Sequence, residues 1–147
     1  MSHFKFWRFV LAAIAFAVIA QIIHSVAPML TMQSYTDPAY ASVWSKFMMP
    51  FAGPPPATFY YMSVAFNLIG ALLFTLVYLV VKNSVPGKTL ASKGLMYGFL
   101  IFLVAGIPGF LSMFMVLNLP LALIVSWTLE GLLIDLLGGM AVAGISK

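Results

Sequence analysis

Glu130 and Asp135 stand in the run WTLEGLLIDLLGG (127–139), and they are two of only three acidic residues in a chain of 147. An ionised carboxylate in so apolar a segment is costly, so each is expected to be protonated or to face a donor or water. The two are about 140° apart around a helix and ~7.5 Å apart along it, too far to act as one carboxylate pair. His24 adds an imidazole that can donate or accept, and Gln21 and Asn67 add amide donors and acceptors. Glu130 with His24, Gln21 and Asn67 is therefore the candidate set for binding a polar ligand or exchanging a proton, with Trp127 a further donor toward Glu130. Asp135 is the fifth candidate. It has no basic residue at its level, and a protonated side chain, a backbone contact or a neighbouring subunit would account for it.

Other chemistries lack their residues. The chain has no cysteine, and its two histidines, His3 and His24, are expected on opposite sides of the membrane. Neither a metal site, a thiol nucleophile nor a paired haem ligation has the ligands it needs. No G-x-S-x-G, H-E-x-x-H or P-loop occurs, so no catalytic residue, metal ligand or cofactor is assigned. The net charge of +4 comes from scattered Lys and Arg residues, which does not make a nucleic-acid footprint.

The elements that must carry these side chains follow from composition. A small chain that is 63% hydrophobic and 7% charged cannot hide its apolar surface in a water-soluble core. Four runs, 6–28, 58–81, 94–117 and 121–145, reach the ~20 residues a helix needs to cross a bilayer. With no alternating barrel pattern, the expected fold is all-α, a single integral membrane bundle of four transmembrane helices. The first run reads as a span and not a cleaved signal, because it exceeds the ~7–15 residues of a signal's apolar core. Lys5, Arg8, Lys82, Lys88, Lys93 and Lys147 fall on one side of such a bundle and Lys46 alone on the other. The positive-inside rule then places both termini and the 82–93 loop in the cytoplasm.

The external loop, 30–57, carries its own helix signal. Asp37-Pro38 suits an N-cap with proline in the first turn, and Tyr40, Val43, Trp44, Phe47 and Met48 recur at helical spacing up to Pro50. A short helix lying at the interface or over the bundle mouth is expected, followed by a stiff Gly53-Pro54-Pro55-Pro56 lead. The connection at 118–120 is so short that the third and fourth spans must be antiparallel neighbours.

At ~1.5 Å per residue, Gln21, Asn67 and Glu130 all lie within ~4–6 Å of mid-membrane on the outer side. Ser112, Ser126 and Thr128 share that outer half. Ala13, Ala17, Ala20, Gln21 and His24 form one stripe, and Tyr60, Ser63, Asn67, Gly70, Ala71 and Phe74 another, which predicts a polar chamber facing outward. Gly106, Pro108 and Gly109 predict a kink or hinge in the third span, with freed carbonyls toward that chamber. Gly131, Asp135, Gly138 and Val142 make a small-residue seam for the third helix or a second copy. Gly94 and Gly98 add a GxxxG pair that signals dimerisation.

Comparison with known four-span families is mainly by contrast. Small multidrug-resistance transporters use an intramembrane glutamate on the first span, where this chain has no acidic residue. The four-span enzymes of glutathione and eicosanoid metabolism carry a Glu, Asn and Arg motif that is absent here. The layout resembles that of several uncharacterised bacterial four-span families, which implies a bacterial or archaeal cytoplasmic membrane and carries no activity. Three functions fit the residues. The first is a non-enzymatic membrane component or accessory subunit with a buried polar layer, its partners the lipid bilayer and a second copy or membrane complex. The second is a small-molecule or proton-coupled transporter or binder using Glu130. The third is a quinone- or cofactor-linked membrane enzyme.

Overall fold

The computed structural model describes residues 6–51 and 54–147. His3, Lys5 and Gly53, used above, lie outside the described residues. Everything regular among the described residues is helical. In chain order come α1 (Phe6–Leu30), α2 (Met32–Thr36), a 3-10 turn (Pro38–Tyr40), α3 (Ala57–Val81), α4 (Leu90–Ile101), a π-helical turn (Phe102–Gly106), α5 (Ile107–Val116) and α6 (Leu121–Ile145). Four helical stretches are long and apolar enough to cross a membrane: α1, α3, Leu90–Val116 and α6.

These helices pack as a row in which α1 and α6 form the central pair. α3 lies against α1, and α4 lies against α6. Small residues set the spacing, since Ala12, Ala13, Ala20, Ala71, Val142 and Ala143 are almost fully buried. Phe16 of α1 fills the space over Gly138 of α6. Its ring also meets Phe74 of α3 at 4.4 Å between centroids. Tyr97 of α4 then reaches α3, contacting the rings of Phe74 and Tyr78 and donating its hydroxyl to the Phe74 carbonyl at 2.6 Å. Leu11, Ile14, Val18, Ile22 and Val26 recur on the other face of α1 and are exposed, as lipid-facing side chains would be.

The GxxxG pair is used inside the chain. A Cβ on Gly94 would fall 2.4 Å from the Gly139 carbonyl, and one on Gly98 would fall 2.0 Å from the Asp135 carbonyl. The backbones of α4 and α6 touch there, running antiparallel as the short connection predicts. The seam on α6 is thus divided, with α4 on Gly139 and α1 on Gly138. Gly131 has open space in front of it.

Two sequence expectations change in the structure. The loop helix begins as predicted, with Asp37 accepting from Ala39 N at 2.9 Å and Pro38 next, but it lasts one 3-10 turn. Ser45 captures Met48 N through its hydroxyl at 3.1 Å, a local bond that competes with helix continuation. Trp44 turns inward. The third span does carry a break, but as the π-helical turn before Pro108, in which Ile107 N–H bonds the Phe102 carbonyl five residues back. Proline cannot donate a backbone bond, and the extra residue in that turn absorbs the mismatch.

One end of the bundle gathers the cations. Arg8 Nη1 donates to the Lys147 carbonyl at 3.0 Å, and Lys82 Nζ donates to the Ser146 carbonyl at 3.1 Å. Both bonds cover the carbonyl end of α6, where the helix dipole favours positive charge. Lys88 and Lys93 belong to this same end, on the α3–α4 loop and the first turn of α4. The described residues of the loop, 31–51 and 54–56, form the opposite end.

Candidate functional site

Five helical positions build the polar layer. Gln21 and His24 are one turn apart on α1, Trp127 and Glu130 one turn apart on α6, and Asn67 projects from α3. The alanine stripe that seats α1 ends in Ala20, so the next turn delivers Gln21 and His24 to its neighbours. They go to different ones.

His24 Nδ1 and Glu130 Oε1 share a hydrogen bond that is also the one salt bridge found among the described residues. With the ring proton on Nδ1, the imidazole donates to the carboxylate. The Glu130 side chain is 7% exposed and that of His24 42%, so the imidazole stands between a buried carboxylate and the surface. Gln21 turns to α3 instead, where Asn67 Nδ2 donates to Gln21 Oε1 at 2.8 Å. Ser25 donates to the Gln21 carbonyl at 2.7 Å and lies 3.4 Å from Gln21 Nε2.

The layer is therefore two pairs with α1 as their common helix. That corrects the expectation of one chamber in which Gln21, Asn67 and Trp127 all face Glu130. Thr128 also turns to its own helix, donating to the Ile124 carbonyl at 2.8 Å. Tyr60 and Gly70 are exposed and leave the stripe assigned to them, Ser112 of the third span is exposed as well, while Ser63 stays partly covered and Ala71 and Phe74 are buried. The physical reason is the row arrangement: α3 meets α1 broadly and α6 hardly at all, so Asn67 is out of reach of Glu130.

Trp127 has another partner. Its indole N–H donates to the Tyr35 hydroxyl at 2.6 Å. Tyr35 sits on the short helix α2 and stacks on Trp44, with centroids 5.1 Å apart and planes 19° apart, and Trp44 meets Trp127 edge-on at 6.2 Å. This three-ring cap lies one helical turn from Glu130. Burial pushes the Tyr35 phenol above its ordinary value of 10.0, and the Glu130 charge adds to that, against the opposing bond from Trp127. Trp44 Nε1 is buried in the cap with no partner among the described residues. Sequence reading missed Tyr35, because the loop has no periodicity at that point. A signal was available in Trp127, whose N–H requires an acceptor once buried.

Asp135 stands apart from both pairs. It is partly buried on α6, its backbone against Gly98. No hydrogen bond or ion pair joins its carboxylate to the described residues. Gly106 lies beside the Phe102 ring, Pro108 is exposed and Gly109 has open space around it. α5 carries no buried residue. Among the described residues no three His, Asp, Glu or Cys side chains come together as a metal site would require.

Comparison of the chain with protein-family models, curated proteins and solved structures finds no match. The site stands on its own geometry.

Proposed function

We propose that the chain is a non-enzymatic component of a membrane, an accessory or assembly subunit whose polar pairs hold its helices in register. In this reading both termini and the lysine-bearing α3–α4 loop face the cytoplasm, because the cations gather at that end. The observation that carries the reading is mutual satisfaction. His24 engages Glu130 and Asn67 engages Gln21, each bond joining two different helices. Interhelical polar pairs of this kind fix rotation and depth of one helix against another, whereas an apolar seam tolerates sliding.

A second reading rests on the unequal exposure of the His24–Glu130 pair. An imidazole open to the surface and bonded to a buried carboxylate is a one-step path for a proton, as a proton-coupled transporter or binder needs. Glu130→Gln separates the two, since it keeps an acceptor facing His24 and removes the titrating group. The structural role predicts unchanged insertion and unfolding for Glu130→Gln and a clear loss of stability for Glu130→Leu. If Glu130→Gln instead abolishes a pH-dependent flux or binding signal in liposomes while unfolding normally, the structural reading fails and the proton-linked one stands.

A further inference from the structure

α3 and α4 are consecutive, yet they meet mainly through the Tyr97 side chain. Beside it an open, apolar cleft of about 290 Å³ runs between them, lined by residues that include Val77, Val81, Ser84, Tyr97, Leu100 and Val104. Tyr97 and Leu100 on α4 and Val104 in the π-helical turn continue the stripe that starts at Lys93, four residues before Tyr97. Gly87 fixes the loop beside it. Its φ of +155° suits glycine, and a Cβ there would fall 2.7 Å from Lys93 N and 2.8 Å from Lys93 Cγ. Lys88, the next residue, therefore stands near Lys93 at the loop end of α4, one turn before the cleft residue Tyr97.

These two ammonium groups lack an anion of their own. No salt bridge among the described residues uses them, and Lys82, the third cation of the loop, is already bonded to the Ser146 carbonyl. The chain's three acidic residues are elsewhere: Asp37 at the opposite end, Glu130 paired with His24, and Asp135 inside α6. A second copy would bring no acidic side chain to this end either. A helix with side chains is ~10–12 Å across, too thick for a cleft of this size, whereas a hydrocarbon chain is thin enough.

We propose that the α3–α4 cleft is a binding site for an anionic phospholipid, the phosphate on Lys88 and Lys93 and one acyl chain along Val81, Leu100 and Val104. Basic residues beside an opening between spans are the usual recognition chemistry for such headgroups. The test is native mass spectrometry of the full chain with equal amounts of phosphatidylglycerol and phosphatidylcholine. Preferential retention of phosphatidylglycerol is expected. Lys88→Gln with Lys93→Gln should cut that preference by roughly 25-fold, about fivefold per lysine, and Lys88→Arg with Lys93→Arg should restore it. Val104→Trp, at an exposed position that fills the cleft, should lower retention of both lipids. Equal retention of the two lipids by the unaltered chain overturns the proposal, as does an unchanged preference in the double glutamine variant. Retention unaffected by Val104→Trp overturns the acyl-chain seat.

Discussion

Replacing Gly98 with alanine sets helix propensity against a backbone contact. In an exposed helix the change would stabilise by up to ~1 kcal/mol. Here the added Cβ would lie 2.0 Å from the Asp135 carbonyl oxygen and 2.5 Å from its carbon, where ordinary contacts are 3.4–4 Å. Both atoms belong to backbone, so no rotamer change relieves the clash. α4 and α6 must move apart by an ångström or more, and that loosens the neighbouring Gly94–Gly139 contact as well. Overpacking of this kind costs ~1–3 kcal/mol, which outweighs the propensity gain. Unfolding of the purified protein in mixed micelles, followed by circular dichroism against the fraction of denaturing detergent, reads the difference. Gly131→Ala is the control, because it lies on α6 with nothing within 4 Å of the new atom. If Gly98→Ala proves as stable as Gly131→Ala, the close approach of α4 to α6 is wrong.

Two further predictions concern the polar groups. Gln21→Ala and Asn67→Ala should each cost about 0.6 kcal/mol, and the double variant should cost little more than either, because both remove the same bond. Strictly additive losses in that cycle would deny the pairing. Tyr35 titrates higher folded than unfolded, owing first to burial. Its neutral form is the one the fold favours, so its contribution to stability is fully present below pH 10.0 and is lost as pH rises through the folded value. Unfolding midpoints from pH 8 upward should therefore show the wild-type advantage over Tyr35→Phe shrinking only above about pH 10. An advantage that grows in that range would mean that the phenol is not buried.

The spans were legible because an apolar run of sufficient length has one solution in lipid, and 6–28 and 121–145 differ from α1 and α6 by two residues or none. The membership of the polar layer was legible too, since Gln21, Asn67 and Glu130 fall at one depth from helical rise alone. Their partners were not. Depth and phase place a side chain on a level and a face, but only the order of helices in the row decides that Asn67 meets Gln21 and leaves Glu130 to His24. The glycines carry the same ambiguity: Gly94 and Gly98 permit close approach by any helix, and nothing local says that it is α6. The π-helical turn and the Tyr35–Trp44–Trp127 cap were missed for another reason. One arises from how the chain absorbs Pro108, the other from a loop whose aromatic residues are ordered by contact and not by period.

The central claim is that Glu130 turns inward to His24 across the α1–α6 interface of a single chain. The chain has no cysteine, so pairs can be introduced without removing any. His24→Cys combined with Glu130→Cys, treated in native membranes with a short bifunctional methanethiosulfonate, is expected to cross-link within the monomer. His24→Cys with Leu129→Cys should not, because Leu129 is 59% exposed on another face of α6. Cross-linking of the 24/129 pair in place of the 24/130 pair, or 24/130 products found only as dimers, would contradict the account.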